Sequence, residues 1–514
     1  MKVNTDKMTF LSTCKKHKGA IYVSAAANIG SILFGFDTGV AGGVVALSSF
    51  KTDFHLSSNP KNLASTIGNI IALLNLGAFI GALFPALLSH YLGRRHLLLL
   101  AGLFFLLGGI LQTAAQPPSL SMIYSGRVIA GFGVGIVSTT APIYVAECSP
   151  KKWRGVMMGA FEMFLVSGGM LAYWSVYGCA IHLKPTSKQW RTPLSLQIVL
   201  AVCVMLGSLV TVESPRWLAK QGRWDEATRS LCALRGAREG DVEIVEELAE
   251  MKAQIDEEVQ MTSGRRVREM LQVRNLQRLA WGVSVAFFTM WCGHNAILYY
   301  GPAVFKQIGF TSQNSSLLAT GVFTCIKFGS TILFLVSGVQ IFKRKTMLMV
   351  GAFFMGGFLL ALGAVLKEYP PAAGDVSGSP AAKGMMALIY LFVLAYSLSW
   401  GPLVWVYMGE IFPTRLRDYA MAICTMMIWL MNYVVSKIAP IAILNIGWKT
   451  WMIFGTANIV ATIFSWFLPE TQNLSLEEMD VLFGVVEEAH RKRDVEVNMS
   501  EKMGTVTTME TRRD

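Results

Sequence analysis

Charge is what this sequence has least of. Only 15% of its 514 residues are Asp, Glu, Lys or Arg, while 53% are hydrophobic. A soluble chain of this size carries about 25% charged residues. The apolar residues fall in long runs separated by short polar breaks, a distribution that excludes an ordinary water-soluble globule. Catalytic signatures are also missing. There is no GxxxxGK[ST] loop for ATP, no HExxH and no GxSxG, so neither an ATP-driven pump nor a membrane hydrolase is supported. Cysteine is sparse and unpatterned. Cys14, Cys148, Cys179, Cys203, Cys232, Cys292, Cys325 and Cys424 form no CxxC pair, and most lie inside apolar runs. That is neither a zinc pattern nor a disulfide framework. No metal and no cofactor is expected, and no enzymatic activity.

What is present is a series of membrane-length runs. A helix needs about 20 residues to cross the hydrocarbon. The runs predict twelve transmembrane helices, over 20–46, 66–90, 96–114, 121–146, 156–180, 194–212, 279–301, 315–340, 346–366, 384–409, 419–443 and 449–468. The expected fold is an all-α membrane protein in two pseudo-symmetric six-helix halves, residues 20–212 and 279–468. A cytoplasmic N-terminus (1–19) precedes them, a charged helical linker (213–278) joins them, and a tail (469–514) follows. The chain is polar through Gly19, so no cleavable leader is expected. The linker carries Glu243, Glu246, Glu247 and Glu250 at helical spacing, which reads as a solvated helix. The end of the tail reads as disordered.

Net charge is +12, and the basic residues cluster on one side of the runs. Arg94 and Arg95 follow the second run, Lys151, Lys152 and Arg154 the fourth, Lys343, Arg344 and Lys345 the eighth, and Arg415 and Arg417 the tenth. Lys15, Lys16 and Lys18 share that side. Positive-inside logic therefore puts both termini in the cytoplasm, with the plasma membrane as the expected location. The lipid bilayer accounts for the basic charge, and nucleic acid is not an expected partner. The chain is expected to be a monomer.

The sequence repeats itself. Tyr144, Glu147, Pro150 and Arg154 fit the pattern Y-x-x-E-x-x-P-x-x-x-R, and Tyr407, Glu410, Pro413 and Arg417 fit it again. Parallel six-helix repeats of this kind place a substrate site between two halves. The repeated acid and base can pair at the mouth and latch the halves. An exposed pair is worth only ~0–1 kcal/mol, so a latch needs a network, with Glu213, Arg216, Arg94 and Glu470 as further members. The bland alternative is ordinary anchoring of helix ends.

Ionisable residues deep in a span are costly and mark function by default. Six qualify: Asp37, Arg127, Glu162, His294, Lys327 and Lys437. Low dielectric favours the neutral form of an Asp and a nearby Arg favours its charged form, so Asp37 with Arg127 has the makings of a proton switch. A permanent structural ion pair is the alternative. A lone His such as His294 is either a satisfied packing residue or a pH-sensitive or substrate-binding group. The Gly131-x-Gly133-x-Gly135 run follows no strand and reads as close helix packing, not a nucleotide loop.

Several motifs together resemble the sugar porter family of the major facilitator superfamily, nearest to its fungal hexose and quinate permease-like members. They are Gly35-Phe36-Asp37-Thr38-Gly39, Gly126-Arg127, Glu213-Ser214-Pro215-Arg216, Asn295-Ala296-Ile297-Leu298-Tyr299-Tyr300, Trp400-Gly401-Pro402 and Pro469-Glu470-Thr471. The resemblance covers nearly the whole chain. It implies proton coupling at Asp37 and Arg127, substrate contact at Asn295, Trp405 and Asn432, and an outer gate at Tyr299 and Tyr300.

Departures from the family pattern bear on the substrate. The seventh run usually reads Gln-Gln where this chain has Thr289 and Met290. The fifth usually supplies Gln where this chain has Glu162 and Gly169. Amides both donate to and accept from hydroxyls, so their loss argues against a common hexose pocket. Glu162, Gly168-Gly169, Lys327 and Lys437 are similar to the quinate permease branch. The loops after the second and eighth runs have His90 and Gln340 where the family carries an acid, which weakens the expected latch. The expectation is secondary active transport of a small polar, polyhydroxylated solute (a sugar, a polyol or a cyclic polyol acid such as quinate), with protons, by alternating access. The substrate site is assigned to Glu162, His294, Asn295, Trp405, Asn432 and Lys327. A facilitative uniporter, an exporter of a specialised metabolite and a non-transporting nutrient sensor are the alternatives.

Overall fold

The computed structural model describes residues 17–56, 59–150, 154–262, 270, 272–338, 343–371, 379–412, 416–472 and 483. Lys15, Lys16, Lys151, Lys152, Gln340, Pro413, Arg415 and nearly all of the tail lie outside the described residues, as does the side chain of Arg154.

Eleven helices among the described residues are long and apolar enough to cross a membrane. In chain order the spans are Lys18–Val44, Pro60–Leu88, Arg94–Thr113, Ser121–Cys148, Met157–His182, Ser187–Val210, a broken seventh, Gln313–Val336, Arg344–Glu368, Pro380–Ile411, Tyr419–Ile446 and Lys449–Phe467. The seventh crossing, which brings the total to twelve, consists of Val273–Trp291 and His294–Gln307 laid end to end. The break sits at Gly293, whose φ of 91° lies in the left-handed region that an L side chain resists. Tenth-span continuity is also interrupted, between Pro380–Ser397 and Trp400–Ile411. Several helices outrun the apolar windows read from sequence. The second begins at Pro60 and the sixth at Ser187, because a helix continues through polar capping turns that no hydropathy window registers.

Packing repeats between the halves. Span one packs on span five as the start of span seven packs on span eleven. Span three packs on four and six as span nine packs on ten and twelve. The two largest surfaces between the halves are span two against span eleven and span eight against span five. These surfaces exchange under the same correspondence (two with eight, five with eleven), so the contacts themselves carry the pseudo-two-fold relation.

In lipid the drive for helix association is close packing, not the hydrophobic effect. Spans one and five meet through glycines. A Cβ on Gly35 would strike the Leu165 carbonyl, and one on Gly168 would strike that of Ile32. Ser24, Asn28, Ser31, Asn75 and Ser138 are buried among these helices. In a span, small and polar residues mark contact with protein and not with lipid.

The linker forms Pro215–Lys220, Trp224–Arg235 and Val242–Thr262. The middle helix carries Asp225 and Glu226 in its first turn and ends on left-handed Gly236, both of which suit the helix dipole and the C-cap. Arg235 ties the linker to the membrane half. It donates to the Cys148 carbonyl at 2.9 Å and pairs with Glu247 at 2.6 Å. Trp217 Nε1 donates to the Ser89 carbonyl at 2.6 Å.

Gly35→Val tests the packing account. Overpacking a tight contact costs about 1–3 kcal/mol. A clear drop in the melting midpoint of the detergent-solubilised protein is expected, whereas Gly357→Val, where a Cβ would meet no neighbour within 4 Å, should melt like the parent.

Candidate functional site between the two halves

The buried pair comes first. Asp37 is fully buried in span one and Arg127, in span four, is 1% exposed. Arg127 Nη1 donates to Asp37 Oδ1 at 2.7 Å and to the Asp37 carbonyl at 3.0 Å, and its Nε donates to the Ile70 carbonyl at 3.1 Å. One guanidinium thus joins spans one, two and four. Each partner keeps one unspent atom: Asp37 Oδ2 and Arg127 Nη2 are buried with no hydrogen-bond partner.

Beside it lies a network that crosses between the halves. His294 opens the second part of span seven, stacked flat on Tyr396 with ring centroids 3.9 Å apart. Its Nδ1 meets Asn295 Oδ1 at 3.0 Å. Asn295 Nδ2 donates to Asn432 Oδ1 at 3.0 Å and contacts Met290 Sδ, also at 3.0 Å. Asn432 Nδ2 donates to Tyr299 Oη at 2.8 Å and to Asn75 Oδ1 at 3.2 Å. Asn75 Nδ2 donates to Ser436 Oγ at 3.0 Å. The chain of bonds therefore runs from span seven through eleven to span two of the other half.

Two buried charges face each other across the halves. Glu162 of span five is 6% exposed and Lys327 of span eight 5%. Each acts electrostatically on the other. Among the described residues neither side chain has a hydrogen bond or a direct ion pair. Lys327 Nζ lies 5.6 Å from the Tyr396 ring centroid, a cation–π placement. Trp405 is half-buried and packs edge-on against Phe161 at 5.8 Å. Lys437 is elsewhere: it binds Asn69 Oδ1 of span two.

Tyr299 and Tyr300 lie in the second part of span seven. Both are buried. Tyr300 donates to the Ser436 carbonyl at 2.5 Å, and Tyr173 of span five donates to the Leu298 carbonyl beside them. Ser48 N donates to Gln313 Oε1 at 3.2 Å, again from one half to the other.

On the linker side the arginine–glutamate pairs among the described residues lie within each half. Arg94 grips Glu147 with Nε and Nη2 at 3.2 and 3.1 Å, and Arg344 Nη2 meets Glu410 at 3.3 Å. Glu213 accepts from the Arg95 and Ser214 amides, and Glu470 from those of Arg344, Lys345, Thr471 and Gln472. These two carboxylates cap the first turns of spans three and nine, where the dipole and orphan N–H groups favour an anion. Tyr144 and Tyr407 repeat as well, donating to the carbonyls of Val212 and Pro469. Arg417 opens span eleven and donates to the Phe412 carbonyl at 3.2 Å. Arg216 lies in the first turn of Pro215–Lys220, half-buried.

Sequence reasoning did not single out Asn75, Tyr396, Tyr173, Phe161 or Ser436. Asn75 was visible as one of two amides, with Asn69, within an apolar run. Nothing in sequence distinguished Tyr396 from a packing tyrosine, since its importance lies in what stacks on each face.

The matching family model is the sugar (and other) transporter family, which aligns with residues 23–483. This chain belongs to that family, the sugar porters of the major facilitator superfamily. Among curated relatives, a quinate permease of Neurospora terricola is 33% identical over 479 residues, covering 90% of this chain and 89% of its own. A probable quinate permease of Aspergillus fumigatus is also 33% identical, over 475 residues covering 90% and 87%. Of solved structures, the proton:xylose symporter XylE bound to 6-bromo-6-deoxy-D-glucose superposes with a TM-score of 0.75 at 28% identity, covering 91% of this chain and all of that one. Inward-open XylE from E. coli gives 0.72 at 27% identity, covering 90% of this chain and 99% of that one. The protein is a multi-pass membrane transporter of a small sugar-like or polyol solute.

A double-mutant cycle on Glu162→Gln and Lys327→Met tests whether these charges act as a unit. Residues that share one network couple by about 0.5–3 kcal/mol. The apparent affinity for transported solute should therefore change non-additively, by threefold or more. Additive losses would show that the two charges act separately.

Proposed function

We propose that the protein is a proton-coupled carrier of a cyclic polyol carboxylate, working by alternating access between its halves. The observation that carries the reading is Lys327. A buried ammonium without a hydrogen-bond or ion-pair partner is expensive, and a carboxylate on the substrate would meet it. Glu162 balances that charge in the empty site and offers acceptors to ring hydroxyls. Asn295, Asn432 and His294 supply the polar wall and Trp405 an apolar face for a ring. The names of the curated relatives, quinate permeases, support the same class.

Protons enter the reading through Asp37 and Arg127, a carboxyl and its counter-charge held out of water. The structural neighbour that is titled a proton:xylose symporter supports it. Tyr299 and Tyr300 serve as the gate on one side. On the other, Arg94, Glu147, Glu213 and Arg216, and Arg344, Glu410, Arg417 and Glu470, serve as two symmetric clusters that meet and part as the halves rock, and Arg154, whose side chain lies outside the described residues, is read as a member of the first. The basic residues on the linker side support a cytoplasmic linker and cytoplasmic termini in the plasma membrane. The chain acts as a monomer, since its twelve spans build the site alone.

A second reading, a neutral sugar or polyol, is favoured by Glu162, whose negative charge opposes an anionic solute. Uptake in transporter-deficient yeast separates the two. Quinate, hexoses and polyols are supplied with and without a protonophore. The expected result is uncoupler-sensitive accumulation of quinate, abolished by Asp37→Asn and reduced at least tenfold in affinity by Lys327→Met. Uptake of neutral polyols alone would favour the second reading. Equilibration indifferent to the uncoupler would make the protein a facilitator, and no uptake of any solute would point to export or sensing.

A further inference from the structure

Pro302 lies inside the second part of span seven, His294–Gln307. A proline has no N–H, so the carbonyl four residues before it loses its helical donor. Here that carbonyl is Leu298's. Pro440 has the same effect inside span eleven, within Arg417–Ile446, on the carbonyl of Ser436. Hydrocarbon offers no water to such a group, and a backbone carbonyl left unmet there is costly. In both places a tyrosine hydroxyl stands in for the missing donor. Tyr173 donates to the Leu298 carbonyl, and Tyr300 donates to the Ser436 carbonyl at 2.5 Å.

The two caps differ in what they join. Tyr300 and Ser436 belong to one half and can move together. Tyr173 belongs to span five, in the other half, so its bond to Leu298 must break when the halves part there. Tyr173 is fully buried. Its surroundings are tight: a Cβ on Gly42 of span one would strike both the Tyr299 carbonyl and Tyr173 Oη. Tyr300, between the freed carbonyl and the proline that frees it, departs from helical geometry with φ −111° and ψ 20°. The helix is therefore bent where the other half grips it.

We infer that Tyr173 latches the gate of Tyr299 and Tyr300 shut, by capping the carbonyl that Pro302 leaves open in span seven. With the halves together, the hydroxyl satisfies that carbonyl where water is excluded. With the halves apart, water in the opened passage satisfies both groups. Closure without the hydroxyl would bury the carbonyl unmet, so the bond favours the closed state alone. Pro302 is part of the latch, because it makes a helix whose backbone is complete only when the other half docks on it. The inference rests on the alternating-access reading above and adds to its gate a residue from the opposite half.

The test is double electron–electron resonance on the full chain, its native cysteines replaced, with spin labels on Thr52→Cys and Asn314→Cys. Both positions are exposed, and they flank the Ser48–Gln313 bond that joins the halves. Parting of the halves adds a longer distance. Tyr173→Phe removes the hydroxyl and keeps the ring, and it should raise the ratio of long to short distances by about tenfold, the effect of one buried carbonyl left unmet. In a Pro302→Ala background the helix supplies its own N–H, and the same change should move the ratio by less than about twofold. A tyrosine that merely packed the core would show no such rescue. If Tyr173→Phe does not fold by itself, recovery of folding in the Pro302→Ala background supports the inference, and failure in both overturns it. Two distances in the parent whose ratio Tyr173→Phe leaves unchanged, or moves equally in both backgrounds, overturn the inference alone. A single distance in the parent and in every variant overturns the gate assignment with it.

Discussion

The fold is organised around one guanidinium in the membrane interior. Arg127 holds Asp37 by side chain and carbonyl and reaches the Ile70 carbonyl besides, so three spans share a single fixed point. Isolated, either charge would be prohibitive there: the effective penalty is several kcal/mol per ion. Together they are tolerated, and removing one partner leaves the other stranded. That sensitivity makes the pair useful, since anything that changes the charge on Asp37 changes what holds spans one, two and four together. The amide network from His294 to Asn75 ends on the same span two and ties it to the other half.

A second theme is duplication turned to account. Each half ends an even-numbered span with a tyrosine that bonds a carbonyl beyond its last helix. Each places an arginine on a glutamate, and each caps its third helix with a carboxylate from the segment after its sixth. Among the described residues both arginine–glutamate pairs lie within one half. Pairs that are already paired can separate as rigid bodies at little cost, which suits halves that must part. Asymmetry appears at the centre, where only one half carries Asp37 and Arg127 and where Glu162 of one half meets Lys327 of the other.

Much of this was legible in sequence because membrane physics is strict. Twelve apolar runs, the basic side and the duplicated Tyr, Glu and Arg positions all follow from the rule that backbone must be satisfied within helices and charge kept out of lipid. The broken seventh span was less legible. Its crossing was read from hydrophobicity, while the break at Gly293 depends on a left-handed backbone that composition does not encode. Helix ends were misplaced where capping turns continue past the hydrocarbon, as at Pro60 and Ser187. At the site, Glu162 and Lys327 stood out as charges in apolar runs. Lys437 stood out equally, and only its contact with Asn69 separates it from them. Asn75 and Tyr396 acquire their roles from neighbours more than a hundred residues distant in sequence for Asn75, and for Tyr396 from a ring stacked flat upon it.

The central claim is that the Asp37–Arg127 pair is where the proton gradient enters the transport cycle. Its most direct test is reconstitution of the parent protein and Asp37→Asn in proteoliposomes, measuring solute exchange at equilibrium and accumulation under an imposed pH gradient. If the account is correct, the parent accumulates solute against its gradient, and Asp37→Asn still exchanges solute but no longer accumulates it. Accumulation by Asp37→Asn at the parental level would contradict the account and leave the pair as a structural fixture.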